Sequence, residues 1–141
     1  MTEAKLGLLA LLHRANQVAT LKFADAIGDG QVTARQVHVL SAIETHEGAS
    51  QTEIVELTGI DRSTLADIMR RLQRNKLVER RRSKTDALAY VLKLTDAGRQ
   101  ALAACWPMLE SVEAQLLSTL PSRQRAEMLA MLEKITEFQK T

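Results

Sequence analysis

A single cysteine, Cys105, leaves no internal disulfide framework, so packing alone must hold the fold, as suits a reducing compartment. Aromatic residues make up only 3% of the chain, which leaves Leu, Ile, Val, Ala and Met to build the core. Two prolines and six glycines are few for a turn-rich sandwich or barrel and favour helices. No apolar run approaches the roughly 20 residues needed to span a bilayer. Glu3, Lys5 and Arg14 break the layout a signal peptide requires. A cytoplasmic protein with no membrane partner is expected. A Gly-rich phosphate loop, a G-x-S-x-G elbow, an H-E-x-x-H helix and a carboxylate pair on an apolar face are all missing, which argues against an enzyme. His13, His38 and His46 lack H-x-x-x-H spacing and lie far from Cys105, so neither a metal nor another cofactor is expected.

What remains is a chain of 141 residues, 45% hydrophobic and 26% charged, as in one soluble domain of ordinary size. Its net charge of +2 is unevenly spread. Residues 61–84 hold nine Lys/Arg against Asp61, Asp67 and Glu79, a local +6 that leaves −4 on the rest. A basic block on an acidic remainder suggests a surface for a polyanion. The ordinary alternative is a solvated charged face.

The central stretch, residues 50–95, carries the organisation. Ser50-Gln51-Thr52-Glu53 is a capping box opening a short helix, and Thr33 with Gln36 forms another one helix earlier. Thr58-Gly59 ends the short helix and Asp61 caps the next. Two helices joined by a tight Gly-containing turn form a helix-turn-helix pattern. At 100° per residue, Leu65, Ile68, Met69 and Leu72 share one face of the second helix. Ser63, Asp67, Arg70 and Arg74 fall opposite, with Thr64, Ala66 and Arg71 at the edges. Small residues in the first half permit close approach to base edges, and arginine forks suit guanine or phosphate. Asp67 lies one turn from Arg70 and Arg71 and can orient either. The DNA-binding set read from this stretch is Gln51, Thr52, Arg62, Ser63, Thr64, Asp67, Arg70, Arg71 and Arg74. Next, Leu77–Arg82 and Ala89–Leu94 read as two strands around a loop, a wing whose Arg81, Arg82 and Lys84 would reach a minor groove or phosphates.

Both ends of the chain read as long amphipathic helices. The first should run from about Ala4 to Ile27, with Leu8, Leu11, Leu12, Ala15, Val18, Ala19 and Leu21 at helical spacing before Gly28-Asp29-Gly30. After the cap Thr95, Leu102, Cys105, Leu109, Val112 and Leu116 form a coiled-coil-like seam, with Pro107 predicting a kink or break near Cys105-Trp106. The last helix should turn Leu129, Leu132, Ile135 and Phe138 inward, with Met128 and Met131 flanking. Such faces imply a homodimer, whose two-fold axis suits a palindromic duplex.

The segment GIDRSTLADIMRRLQRNKLVERR, the wing D-ALAYVLKLT and the following T-DAG closely resemble the MarR family of bacterial winged helix-turn-helix regulators. The resemblance covers nearly the whole chain. It implies a mainly α fold with a small β-hairpin: an N-terminal dimerisation helix over 1–30, a DNA-binding region over 31–95 and C-terminal dimerisation helices over 96–141, in one compact domain. It also implies a repressor acting on double-stranded DNA as a homodimer and released by a small-molecule effector or by oxidation. The chain departs from the family pattern in three places. Lys76 stands where Gly is common, Asp67 where Arg or Thr is frequent, and Ala87-Leu88 where the wing usually carries arginine after its Asp. Leu88 can make neither an arginine's minor-groove contact nor a steadying salt bridge, so wing binding rests on Arg81, Arg82 and Lys84 or is weak. Leu88→Arg is expected to tighten operator binding and steepen its salt dependence.

His13, Arg14 and Gln17 on the first helix, with His38 on the second, form a candidate effector cluster for an aromatic acid or its thioester; the plainer reading is a wet helix side. Cys105 could sense oxidation, but its place between Leu102 and Leu109 favours inert packing. The competing reading of the whole chain is a helical adaptor whose basic face docks an acidic protein, with little specific DNA binding.

Overall fold

Four side-chain caps set out the helical order of the chain. In the computed structural model, which describes residues 7–28, 32–86 and 88–140 (the side chains of 139 and 140 excepted), eight elements precede a terminal 3-10 turn. They are α1 (Leu8–Ile27), α2 (Ala34–Thr45), α3 (Gln51–Thr58), α4 (Arg62–Arg74), β1 (Val78–Arg82), β2 (Tyr90–Leu94), α5 (Asp96–Leu117) and α6 (Ser122–Thr136), with the turn at Glu137–Lys140. Thr33 makes the full reciprocal box before α2: its hydroxyl accepts from the Gln36 N–H at 3.2 Å, and Gln36 Oε1 accepts from the Thr33 N–H at 3.1 Å. The Ser50 box is half formed. Ser50 Oγ accepts from the Glu53 N–H, but the Glu53 carboxylate takes the Ser50 hydroxyl instead of its backbone N–H. Asp61 caps α4 and Thr95 caps α5 by the same device. The expected start of the first helix at Ala4 lies outside the described residues, as do Asp29 and Gly30.

The core is one continuous cluster centred on α2 and α4. Val37, Val39, Leu40 and Ile43 of α2 meet Ile54 of α3, Leu65, Ile68, Met69 and Leu72 of α4, Leu92 and Leu94 of β2, and Val112 of α5. α1 joins it through Phe23 and Ile27, two residues the spacing of its leucines does not single out. β1 and β2 pair antiparallel with Arg80 opposite Leu92 and Arg82 opposite Tyr90. The Leu92 N–H also donates to the Ala49 carbonyl at 2.9 Å, tying the hairpin to the α2–α3 loop.

Two backbone features fasten the end of α4 to α5. Lys76 adopts φ 60°, the left-handed region in which Gly loses nothing and Lys does. The turn it makes delivers the Lys76 and Leu77 carbonyls to the start of α5, where the Thr95 hydroxyl donates to the first at 2.6 Å and the Thr95 N–H to the second at 3.0 Å. Gly98 passes so close that a Cβ there would overlap the Leu77 carbonyl oxygen and lie 3.0 Å from its carbon.

The structure bears on two expectations. Of the kink or break expected near Cys105-Trp106, the break does not occur, since α5 runs unbroken through Pro107. Pro107 withholds an N–H from the carbonyl of Ala103, whose exposed position lets water satisfy it. The expected last helix does not turn its apolar residues inward within the chain: Leu129, Leu132 and Ile135 of α6 and Phe138 of the turn after it are exposed, as is Met131, and Met128 is half-buried. Among the described residues α6 packs mainly on its own terminal turn, which leaves Leu129, Met131, Leu132 and Ile135 exposed. The same holds for Leu8, Leu11, Val18 and Leu21 of α1.

Candidate nucleic-acid interface

α3 and α4 meet at Gly59, whose left-handed φ of 72° lets its N–H cap α3 through the Val55 carbonyl while the chain turns. Asp61 then starts α4. Its carboxylate accepts from the Thr64 N–H at 3.2 Å and the Ser63 hydroxyl at 2.9 Å. Hydrogen bonds from Thr64 and then Ser63 hold that carboxyl at about 2, well below the ordinary 3.8. Leu65, Ile68, Met69 and Leu72 are buried, which leaves Arg62, Ser63, Asp67, Arg70, Arg71 and Arg74 exposed with Thr64 and Ala66 half-buried at the edges. The helical-wheel expectation holds residue by residue.

Asp67 engages both of its neighbours. Its two oxygens lie 3.3 Å from Arg70 and 3.5 Å from Arg71, all three side chains being more than half exposed. Exposed pairs of this kind contribute little stability. Their effect is to fan the two guanidiniums along the outer face and to lower its net positive charge.

On β1 the two-residue period sorts the arginines. Arg80 and Arg82 lie on the face that looks toward α3, and Arg81 on the opposite face beside Glu79, its partner at 2.8 Å. Arg80 donates to Gln51 Oε1 at 2.8 Å, joining β1 to the first turn of α3 across 29 residues of sequence. The sequence reading missed Arg80. The signal was available, because strict alternation from buried Val78 places Arg80, not Arg81, on the α3 side. Gln51, Thr52, Val55, Arg62, Arg80, Tyr90 and Leu92 line a shallow cleft of about 310 Å³ there. The Arg82 guanidinium carbon sits 5.1 Å from the centre of the Tyr90 ring, in cation–π range. Lys84 is exposed in the loop and Ala87 lies outside the described residues. The Arg80–Gln51 hydrogen bond therefore joins the α3–α4 pair to the hairpin.

The four candidate effector residues are all exposed. His38 lines a second cleft, of about 440 Å³, with Asn16 and Thr20 of α1, Arg35 of α2, and Asp61 and Thr64 at the head of α4. His13, Arg14 and Gln17 do not line it, although His13 and Gln17 continue the stripe of Asn16 and Thr20 along α1. Cys105 is partly buried against the core, and burial pushes its thiol up, away from the reactive thiolate. Among the described residues no group of three or more His, Cys, Asp or Glu is placed to hold a metal, and no helix is long and apolar enough to cross a membrane.

An exposed basic helix on a Gly-hinged pair, braced by an arginine-rich hairpin, defines a winged helix-turn-helix transcriptional regulator that binds DNA. A family model for MarR proteins matches residues 31–87. The chain is 31% identical to the transcriptional repressor CouR, solved on a 23-mer DNA duplex; the match covers 95% of this chain and 99% of that one with a TM-score of 0.81. It is 26% identical to BpsR of Bordetella bronchiseptica, whose DNA binding is regulated by 6-hydroxynicotinic acid, over 97% of this chain and 98% of that one (TM-score 0.87). It is also 28% identical to the transcriptional repressor NicR of Pseudomonas putida, over 90% of this chain and 80% of that protein. The chain belongs to the MarR family.

Proposed function

We propose that two copies of the chain form a homodimer that represses transcription at a pseudo-palindromic promoter site and is released by a small aromatic acid. The observation that carries the dimer is the pair of uncovered apolar stripes at the two ends of the chain, where Leu8, Leu21 and Met131 are each close to 60% exposed. Covering a side chain of this kind is worth roughly 1.5–3 kcal/mol, and a soluble monomer seldom leaves so many in contiguous stripes. A second copy offers the same stripes, and two-fold pairing would set the two copies of α4 on successive major grooves, about 34–36 Å apart.

In this reading Arg62, Ser63 and Thr64 face base edges and Arg70, Arg71 and Arg74 serve bases or phosphates. Thr52 and Gln51 lie beside the backbone at the start of α3, Arg80 fixes the hairpin to that helix, and Arg81, Arg82 and Lys84 approach flanking phosphates. Selection of duplexes from a randomised pool, at two salt concentrations, tests it together with sedimentation of the protein alone. The expected result is a dimer that enriches an inverted repeat over competitor DNA. A monomer, or binding with no site preference, would favour an adaptor that docks an acidic protein.

For the effector, the His38 cleft supports the choice because it touches the cap of α4, so an occupant there would bias the reader helix. Arg35 and His38 suit a carboxylate, and the regulation of BpsR by 6-hydroxynicotinic acid supports an aromatic ring. That acid should raise the melting temperature and lower DNA affinity, and His38→Ala should blunt both. A shift that His38→Ala leaves intact would move the site elsewhere, with His13, Arg14 and Gln17 next to be replaced.

A further inference from the structure

The face of the hairpin turned away from α3 closes a further cavity, of about 470 Å³, against the end of α2 and the first turn of α5. The hydrogen bond from the Leu92 N–H to the Ala49 carbonyl builds it, by laying the α2–α3 loop along the free edge of β2 after Gly48 has turned the chain at φ 82°. Arg81 stands opposite Val91 and Glu79 opposite Lys93, so Arg81, Val91 and Lys93 share the strand side of the cavity. Arg99 of α5 closes one end. Its guanidinium donates to the Leu94 carbonyl at 3.2 Å and pairs with Asp96, which fixes it beside the end of β2. The volume is that of a small-molecule site.

Charge is divided across this cavity. Arg81, Lys84, Lys93 and Arg99 line it from the hairpin and α5, together with Arg82, which stacks on Tyr90. Glu44 and Glu47 face them from the end of α2 and the loop after it. Glu79 and Asp96 partner Arg81 and Arg99, whereas Lys84, Lys93, Glu44 and Glu47 have no ion pair among the described residues. Opposite charges left open across a cleft suit an occupant with complementary groups at its two ends. Several cations call for a dianion, which a phosphate monoester supplies and a single carboxylate does not. The two carboxylates call for donors, which hydroxyls supply. The Ser83 and Thr85 hydroxyls, 3.0 Å apart, line the same wall, and Val91 offers an apolar patch for the C–H face of a sugar ring. We propose that this cavity binds a sugar phosphate, with the phosphate among Arg81, Lys84, Lys93 and Arg99 and the hydroxyls toward Glu44 and Glu47. An occupant would draw Arg81 and Lys84 from the phosphates of DNA, so sugar phosphate and DNA compete. That competition, unlike the site, rests on the reading of the hairpin as part of the DNA interface.

The test uses the full chain with ribose 5-phosphate and glucose 6-phosphate as probes, and with inorganic phosphate and the free sugars as their halves, at constant ionic strength. At least one ester should raise the melting temperature and bind about tenfold more tightly than inorganic phosphate, and the free sugars should give no shift. Lys93→Gln should weaken ester and phosphate alike by about tenfold, whereas Glu47→Ala should erase most of the ester's advantage over phosphate. Both side chains are exposed, so each variant should melt with the wild type when no probe is present. Fluorescence anisotropy on a duplex enriched from a randomised pool reads the competition, and a saturating ester should weaken wild-type DNA binding about tenfold. No melting shift with either ester, or a shift that Lys93→Gln leaves intact, would overturn the site. A salt slope of DNA binding that falls by about one contact in Lys93→Gln, with ester binding unchanged, would assign these cations to the DNA backbone instead. If the wild type enriches no duplex, the DNA reading and the competition fall together, and the melting shifts alone decide the site.

Discussion

Replacing Gly98 by Ala probes the joint that holds the end of α4 and the start of the hairpin against α5. A Cβ at Gly98 would overlap the Leu77 carbonyl oxygen, which is backbone and cannot swing aside as a side chain would. Leu77 and Val78 are both buried, so the strand entering the hairpin has little room to retreat. Overpacking of this kind costs about 1–3 kcal/mol. Any retreat also lengthens the Thr95–Leu77 and Thr95–Lys76 hydrogen bonds, each worth about 1 kcal/mol. Alanine's better helix propensity returns at most about 1 kcal/mol. The net expectation is a loss of about 2–4 kcal/mol, a large share of the roughly 5–15 kcal/mol by which domains are stable. For a chain of this length that is a fall in melting temperature of about 5–15 °C, read by thermal unfolding at matched protein concentration, since a dimer's stability depends on it. A Gly98→Ala protein as stable as the wild type, or more so, would refute the claim that the Leu77 carbonyl is fixed against α5.

Other perturbations test neighbouring parts of the same interface. Lys76→Gly should raise stability by about 0.5–1 kcal/mol in urea unfolding, because φ 60° strains lysine and not glycine; a loss would mean the Lys76 side chain makes contacts that matter more than its backbone. Asp67→Asn should release Arg70 and Arg71 and steepen the salt dependence of DNA binding by about one to two contacts per protomer, and an unchanged slope would show that both arginines already reach phosphate. Because the folded Asp61 carboxyl titrates near 2 against an ordinary 3.8, its cap contributes fully above about pH 4 and is lost as pH falls toward 2. NMR titration should place it near 2, and Asp61→Asn should lose less stability than the wild type across that window. A value near 3.8 would mean the cap does not persist in solution.

The caps of α2 and α4 and the ion pairs of α4 could be read without a structure because they depend on neighbours three and four residues away. Asp61 reaches Thr64, Thr33 reaches Gln36, and Asp67 reaches Arg70 and Arg71 through geometry that any α-helix supplies. The burial of Leu65, Ile68, Met69 and Leu72 follows from the same 100° step. The left-handed turn at Lys76 could be anticipated only through the family resemblance, in which glycine is common at that position.

Tertiary structure decided what depends on residues remote in sequence. The sequence alone determined the caps, the helix faces and the positive charge of the reader, since each is a local or compositional property. It did not show that Arg80, rather than Arg81, ties the hairpin to Gln51, because that bond spans 29 positions and depends on strand register. Nor did it show that Phe23 anchors α1 while Leu8, Leu9 and Leu11 stay exposed, or that the apolar stripe of α6 stays exposed among the described residues. Amphipathic spacing says that a face must be covered and is silent on what covers it. The Leu77–Gly98 contact and the unbroken course of α5 through Pro107 have the same origin, since space and solvent around a residue are set only when distant elements close on it.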